Sequence, residues 1–305
     1  MVRTRVKPGW IVVFLLFLLF WFVAQPRPEF QAACAGAPTP TFATPRAMPK
    51  TLRGARIMLN PGHGITLTDK KTWGFQRPQA NGISVFVLED DSNVRLARRI
   101  KKVLEDAGAS VFSTRELEDT QIGKSGIPVW REASKHHLER LGVDQGIWDS
   151  SGVALRSDCR LAKDIRARPL YANLLKADIL LSIHSNAGQP LARGTQVFYA
   201  NRHFLRATQP QVPKQSACLA KALASAVPKA IRLERPDLRW GTGSVTASNQ
   251  YGENGFALMP SVILEVAFHT NALDGRALRQ ETFRAAVASG VKAALASFLE
   301  QPECA

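Results

Sequence analysis

From residue 53 onward, segments typical of strands alternate with segments typical of helices, and this alternation restricts the fold more than any other feature of the chain. Short apolar runs predict strands, whereas longer runs with apolar residues three and four positions apart predict helices. Alternating strands and helices favour a parallel sheet, because each parallel crossover needs a long connection that is usually a helix. We therefore expect an α/β fold over residues 53–301: a single layered domain with a mostly parallel, twisted sheet flanked by helices on both faces.

The predicted strands are 55–60, 109–113, 178–184, 195–200 and 261–268, and the predicted helices are 92–107, 166–176, 214–231 and 276–299. Residues 116–161 interrupt this rhythm, because they are rich in charge, glycine and serine and contain only one predicted short helix, at 132–141. We interpret the segment as an insertion that serves as a lid, a regulatory segment or a surface excursion. His136 and His137 lie within it and are expected to face solvent.

An uncharged apolar run of 15 residues, 10–24, follows the basic residues Arg3, Arg5 and Lys7. It fits the core of a signal peptide better than a spanning helix, which needs roughly 20 residues. We interpret residues 1–35 as a signal peptide or an uncleaved membrane anchor. In either case the basic flank stays in the cytoplasm and the rest of the chain is exported.

Residues 36–52 contain four prolines and few large apolar side chains, which predicts an extended linker. A small-residue cleavage site is predicted just before it, at 33–35. The formal net charge of the chain is +15, and about +12 remains when residues 1–35 are removed. A basic exported protein suits a polyanionic surface such as a cell wall or anionic lipid headgroups. No nucleic-acid module is recognisable, and export argues against a nucleic-acid partner.

The chain has four cysteines, and an oxidising compartment permits them to form disulfides. Cys159 could pair with Cys218, and Cys34 with Cys304, but the sequence leaves the connectivity open. No CxxC motif or Cys/His cluster is present in the sequence. A thiolate zinc site is therefore not expected.

Two of the six histidines, His63 and His184, stand at the C-terminal ends of predicted strands, where ligands collect in open α/β sheets. Glu89 starts a predicted helix. Two histidines and one carboxylate make a hydrolytic zinc site whose fourth position is left for water. Glu265 lies inside the apolar strand 261–268, where burying a carboxylate is costly unless it has a task or a partner.

Each of these residues also has a structural interpretation. A single histidine at a strand end is more often a hydrogen-bonded structural residue than a metal ligand. Glu89 could be a solvated charge favoured at a helix N-terminus, and Glu265 could pair with a buried arginine. Arg168 could approach a substrate carboxylate or form a surface ion pair. The joint pattern of the two histidines and two carboxylates favours the metal site.

Six short motifs follow one another along residues 56–299: Leu59-Asn-Pro-Gly-His-Gly64, Glu89-Asp-Asp-Ser-Asn-Val-Arg-Leu-Ala97, Thr114-Arg115, Arg168-Pro-Leu-Tyr-Ala-Asn173, Ser182-Ile-His184 and Pro260-Ser-Val-Ile-Leu-Glu-Val-Ala-Phe-His-Thr-Asn271. This series resembles the zinc-dependent N-acetylmuramoyl-L-alanine amidases of the type-3 amidase family. The resemblance implies one Zn²⁺ ion held by His63, Glu89 and His184, with Glu265 as the catalytic acid and base. It implies peptidoglycan as the substrate, cut at the amide bond between N-acetylmuramic acid and L-alanine.

The chain departs from the family pattern in three places. Asn60 stands where the family usually has aspartate, and the gap between His63 and Glu89 is longer than usual. The insertion at 116–161 lies where some relatives carry a helix that plugs the site, and plugging would imply activation by a protein partner. The expected enzyme is periplasmic, acts in wall turnover or cell separation, and associates with the inner membrane if its N-terminal segment is retained.

Two other functions remain open at this point. The first is a zinc carboxypeptidase that acts on the stem peptide of peptidoglycan. The second is an inactive wall-binding regulator with an amidase-like fold. The complete set of His63, Glu89, His184 and Glu265 argues against the regulator, because a degenerate module would be expected to lose at least one of them.

Overall fold

The structure is a computed structural model that describes residues 33–68, 71–76, 87–153, 159–205 and 208–304. The expected signal peptide or anchor, residues 1–35, lies almost entirely outside these residues. Among the residues described, no helix is both long and apolar enough to cross a membrane.

Strands and helices alternate along most of the described chain. In chain order, the strands are β1 (Ala33–Cys34), β2 (Arg56–Pro61), β3 (Ile65–Leu67), β4 (Trp73–Phe75), β5 (Ser110–Ser113), β6 (Gly152–Val153), β7 (Ile179–Asn186), β8 (Gln196–Tyr199), β9 (Ser244–Ala247) and β10 (Ser261–Phe268). The helices are α1 (Glu89–Glu105), α2 (Ser134–Arg140), α3 (Gln145–Trp148), α4 (Cys159–Leu174), α5 (Val212–Glu234), α6 (Gly252–Gly255), α7 (Ala272–Leu278) and α8 (Glu281–Glu300).

A six-stranded sheet, in the order β5-β2-β7-β10-β8-β9, forms the centre of the domain. Neighbouring strands run parallel except for β10 and β8, which are antiparallel. The central strands β7 and β10 are buried along almost their whole length, which explains their continuous apolar runs, since helices cover both faces of a parallel sheet. The expected α/β fold with a mostly parallel sheet is confirmed.

Alternate residues of the central strands face two different layers. Leu59, Leu181 and Leu264 lie in the large core formed with α1, α5 and α8. Met58 and Leu180 lie in a smaller core on the opposite face, against α4. Because side chains alternate along a strand, Asn60, Ser182, His184 and Glu265 belong to the second face. Every polar position of the site that comes from the sheet is therefore on the α4 side.

Several predicted boundaries were wrong. The helix predicted at 276–299 is two helices, α7 and α8, separated by the extended residue Gln280. The helix predicted at 166–176 begins at Cys159, inside the expected insertion, and continues through Pro169. Strand β9 was not predicted, because it is only four residues long and all four are exposed.

The described residues between β5 and α4, 114–153, lie against the domain, directly beside the turn that follows β2. The Ala133 amide donates to the Ile65 carbonyl at 2.8 Å. A Cβ atom at Gly64, where φ is +120°, would lie 2.6 Å from the Ala133 Cα, so this contact requires glycine. The expectation that His136 and His137 face solvent was wrong: their side chains are 11% and 8% exposed. The hairpin of β3 and β4, which covers His136, had not been predicted.

A hydrogen bond, an ion pair and a disulfide hold the chain before β2 against the domain. Residues 36–52 contain no helix or strand, but the Ala37 amide donates to Asp149 O at 3.1 Å, and the Arg46 guanidinium lies 3.3 Å from the Asp178 carboxylate. The disulfides join Cys34 to Cys159 and Cys218 to Cys304. Neither of the two pairings considered from the sequence is formed.

Candidate metal centre

Three side chains from separate elements meet at the C-terminal ends of β2 and β7. His63 comes from the turn after β2, Glu89 from the first turn of α1, and His184 from β7. Each offers one ligand atom, and these atoms all lie within 4.8 Å of one another. Glu89 Oε1 lies 3.2 Å from His63 Nε2 and 3.2 Å from His184 Nδ1. The sequence predicted these three residues, and the structure brings them together.

The two separations between Glu89 and the histidine nitrogens fit a zinc ion. Bonds of about 2.0–2.1 Å from zinc to nitrogen or oxygen set tetrahedral ligand atoms roughly 3.3 Å apart. The two distances of 3.2 Å from Glu89 Oε1 agree with that separation. Two imidazoles and one carboxylate are also the ligand types of a hydrolytic zinc site, in which a fourth position stays open.

The turn that carries His63 has a strained backbone that neighbouring groups hold in place. His63 has φ of +61°, in the left-handed region, which costs a non-glycine residue about 1–3 kcal/mol. The Arg168 guanidinium donates to the His63 carbonyl at 2.7 Å. The amide of Gly64 donates to the Asp90 carboxylate at 2.6 Å, and the amide of Gly62 donates to the Ile183 carbonyl at 2.9 Å. Backbone hydrogen bonds on both sides of His63 thus fix the direction in which its imidazole points.

The close approach of the turn to β7 requires Gly62. A Cβ atom added at this position would lie 2.1 Å from Cε1 of the His184 ring and 2.3 Å from its Nε2. The His184 imidazole therefore lies directly against the backbone of the turn. This contact explains why Gly62, the first glycine of the turn, cannot carry a side chain without moving a proposed metal ligand.

Charge at the site favours a cation. Burial raises the pKa of Glu89, but the nearby imidazoles of His63 and His184 outweigh burial and hold that pKa well below its usual range. Burial lowers the pKa of His184, but Glu253 foremost, with Glu89 and Glu265, raises it to about 10. Three carboxylates thus surround two imidazoles, and a divalent cation would be attracted to them.

Glu265 lies on β10, in register with His184 on the neighbouring parallel strand β7. Register partners point to the same face of the sheet, so the two side chains lie on the α4 side together. The contribution of the Glu265 charge to the raised pKa of His184 agrees with this proximity. Glu265 is half-buried, whereas Val266 and Leu264 beside it are buried in the large core.

Two arginines are buried and stabilise the turn that carries His63. They do not form ion pairs at the surface. Arg168 is fully buried, lies 2.7 Å from the Asp164 carboxylate, and donates to the carbonyls of Pro61 and His63. The alternatives considered for Arg168 from the sequence, a substrate contact or a surface pair, were both wrong. Arg115, also fully buried, donates to the Gly62 carbonyl at 2.9 Å.

Sequence reasoning did not find Glu253, which lies in the short helix α6. Its Oε2 atom is 3.3 Å from His184 Nε2 and accepts a hydrogen bond of 2.7 Å from the Asn60 side chain. The stretch around it is rich in glycine and matches none of the six motifs. Only the folding of this stretch back over β2 and β7 brings the carboxylate to the site.

The comparisons with known proteins agree with this architecture. A family model described as N-acetylmuramoyl-L-alanine amidase (Amidase_3) matches residues 57–297. The germination-specific N-acetylmuramoyl-L-alanine amidase of Bacillus subtilis (strain 168) is 27% identical over 153 residues, which are 50% of this chain and 48% of that protein. The chain thus matches about half the length of this curated relative.

Two solved structures share the fold. The N-acetylmuramoyl-L-alanine amidase from Clostridium difficile 630 is 19% identical, with a TM-score of 0.50, and the alignment covers 82% of this chain and 98% of that one. The N-acetylmuramyl-L-alanine amidase from Mycobacterium smegmatis is 16% identical, with a TM-score of 0.52 and the same coverage of 82% and 98%. Since the family model spans most of the chain, including all four predicted site residues, this protein belongs to the N-acetylmuramoyl-L-alanine amidase family.

Proposed function

We propose that this chain is an exported, zinc-dependent amidase that hydrolyses the amide bond between N-acetylmuramic acid and L-alanine in peptidoglycan. One observation carries the proposal: His63, Glu89 and His184 converge within 4.8 Å, with Glu265 in register beside His184. Membership of the amidase family supports the choice of substrate and of the bond that is cut.

In this proposal His63, Glu89 and His184 hold the zinc ion. When bound, zinc would supply Lewis-acid chemistry, because it polarises an amide carbonyl and lowers the pKa of water toward about 7. The buried arginines Arg115 and Arg168 keep the turn of His63 in place through its backbone carbonyls. This prior positioning matters, because a ligand displaced by about 1 Å can cost roughly 100-fold in rate.

Glu265 is the proposed acid and base. Its carboxylate would accept a proton as water attacks the amide carbon, and would return that proton to the nitrogen of L-alanine as the carbon–nitrogen bond breaks. His63 and Glu265 are half-buried, whereas Glu89 and His184 are buried. We infer that the substrate approaches from the side on which His63 and Glu265 are accessible.

The proposed location is outside the cytoplasm, in the periplasm. The apolar run at 10–24 behind three basic residues favours export, and the two disulfides suit an oxidising compartment. The net charge of about +12 on residues 36–305 would favour a polyanionic wall. Inner-membrane association depends on whether the N-terminal segment is retained.

The insertion is the segment on which a protein activator would act. Its Ala133 backbone lies directly against Gly64, the residue that follows His63. A partner that moved Ala133 would therefore release or tighten the turn of a proposed ligand. We propose this as the route by which the insertion would couple to the site, in place of a contact with the metal itself.

The experiment that tests the function is digestion of purified sacculi by the zinc-loaded protein, with the masses of the released products measured. The proposal expects intact stem peptides with a free L-alanine amino group, and it expects a zinc chelator to abolish their release. Loss of a terminal D-alanine alone would identify a carboxypeptidase. Binding to sacculi without any cleavage would identify a wall-binding regulator.

A further inference from the structure

The carboxylate of Glu253 is buried between the proposed metal ligand His184 and the side chain of Asn60 on β2. Its side chain is 10% exposed. The Oε2 atom lies 3.3 Å from His184 Nε2, and it accepts a hydrogen bond of 2.7 Å from Asn60 Nδ2. One carboxylate oxygen therefore contacts both residues.

The two nitrogens of His184 face two different carboxylates. Nδ1 lies 3.2 Å from Glu89 Oε1, on the side of the proposed metal, while Nε2 faces Glu253. A carboxylate that accepts the proton of the far ring nitrogen leaves the near nitrogen with a free lone pair and fixes the plane of the ring. Glu253 thus has the position of a group that makes Nδ1 the metal-binding atom of His184.

Asn60 uses every hydrogen-bonding group of its side chain. Its Nδ2 donates to Glu253 Oε2 and to Ser182 Oγ, both at 2.7 Å. Its Oδ1 accepts from Thr114 Oγ1 at 2.7 Å and from the Arg168 guanidinium at 2.8 Å. An aspartate at position 60 would keep the two acceptor bonds, but it would set a second carboxylate oxygen 2.7 Å from Glu253. The amide is therefore the side chain that matches a carboxylate at position 253.

Helix α6 holds Glu253 in a fixed place. The Asn254 side chain donates to the Phe198 carbonyl at 3.2 Å, and Ser261 Oγ donates to the Asn254 carbonyl at 3.3 Å. A Cβ atom at Gly255 would lie 2.1 Å from the Phe204 ring, so the helix packs closely on that ring. Contacts of the two residues that follow Glu253 thus limit where its side chain can reach.

We propose that Glu253 is a positioning residue that orients His184 for metal binding through Nδ1, and that Asn60 is its matched partner. This inference rests on the proposed zinc site. In this pairing the negative charge stands on α6, and Asn60 on β2 supplies the donor that the charge requires.

The test measures zinc affinity by competition with a chromogenic chelator, together with the visible spectrum of the cobalt-substituted protein. We expect Glu253→Ala to bind zinc about 10–100-fold more weakly than the wild type and to alter the cobalt spectrum. Glu253→Gln keeps an acceptor without the charge, so it should fall between the two. Glu300→Gln, on the exposed end of α8, is the matched control and should bind zinc like the wild type.

A second comparison tests the pairing with Asn60. Asn60→Asp alone should weaken zinc binding, because two carboxylates would then face each other. Adding Glu253→Gln should restore part of that affinity, since one donor and one acceptor would face each other again. Coupling of this sign is expected only for residues in direct contact.

The outcomes separate the inference from the function on which it rests. If the wild type binds no zinc, the proposed zinc site fails. If the wild type binds zinc and Glu253→Ala binds it equally well, with only its thermal midpoint lowered, Glu253 is merely structural and the inference is overturned. A double variant that binds zinc no better than Asn60→Asp would remove Asn60 as the partner, even if the single variant Glu253→Gln were too unstable to purify.

Discussion

The imidazole rings of His63 and His184 meet edge to face, with their centroids 4.7 Å apart. His184 lies within a run of buried strand residues, whereas His63 stands in a left-handed turn. The pairing of β2 with β7 brings the two together, because Pro61 is in register with Ile183, two and one residues before the respective histidines. The geometry of the proposed centre therefore depends on one strand pair and one turn.

Replacing Glu265 should separate catalysis from metal binding. We expect Glu265→Gln to retain about one zinc per chain and to lose roughly 10²–10⁴-fold in turnover, because an amide cannot take and return the proton. His184→Ala should lose both zinc and turnover. Metal analysis and sacculus digestion on the same preparations make the comparison, with Glu300→Gln as the control. Full activity of Glu265→Gln would remove Glu265 from the mechanism.

Gly62→Ala should displace His184 without straining the backbone. The new methyl group would lie 2.1 Å from the His184 ring, so the ring must move and zinc binding should weaken at least 10-fold. Gly241→Ala is the matched control, because its methyl group would meet no atom within 4 Å. Chelator competition on both variants measures the effect. Equal zinc affinity in Gly62→Ala and Gly241→Ala would mean that the turn shifts easily and does not fix the position of His184.

His137 should make the domain sensitive to acid. Burial lowers the pKa of His137 to about 4, with Glu116 opposing the shift and Arg140 adding to it. An unfolded chain binds this proton below about pH 6.5. The stability that neutral His137 contributes is thus fully present above pH 6.5 and is lost as the pH falls toward 4, by up to about 3 kcal/mol.

Urea denaturation at pH 7 and pH 4.5 checks this expectation. His137→Asn removes the titrating group, so its free energy of unfolding should fall less between the two pH values than that of the wild type. The relevant quantity is the change in the free energy of unfolding between pH 7 and pH 4.5, because the variant can be less stable than the wild type at both pH values. The same fall in both proteins would show that other groups account for the acid sensitivity.

The disulfide of Cys34 predicts where the exported chain begins. Cleavage after residue 35 would remove Cys34 and leave Cys159 without its partner. The bond closes a loop of 125 residues, and losing it should destabilise the domain by about 2–4 kcal/mol. We expect processing before Cys34 or none at all, and the intact mass of the exported protein measures this. A mature N-terminus at Gly36 would contradict the expectation.

The sequence was sufficient to predict the central strands, because each is a mostly apolar run that is buried on both faces of the sheet. Strand β9 is different, since its four residues are exposed and it pairs with β8 at the edge of the sheet. The break between α7 and α8 was missed for a related reason: their apolar residues continue one periodicity across Gln280. Exposed edges and breaks between packed helices leave little trace in an apolar pattern.

The candidate site likewise contains residues that sequence patterns predict and residues that they do not. His184 and Glu265 lie on strands, Glu89 starts a helix and His63 stands in the turn after a strand, which are the positions that sequence patterns predict for them. The role of Arg168 depends on carbonyls of the turn after β2, and that of Glu253 depends on α6 folding back over Asn60. Both are contacts between segments far apart in the chain. A sequence read along its length has no signal for them.

The most direct test of the proposed zinc site is anomalous scattering from a crystal of the zinc-loaded protein, recorded on both sides of the zinc absorption edge. If these three residues hold zinc, we expect one strong anomalous peak per chain, bounded by His63 Nε2, Glu89 and His184 Nδ1. A well-ordered structure in which these three side chains surround no such peak, or in which zinc lies elsewhere, would contradict it.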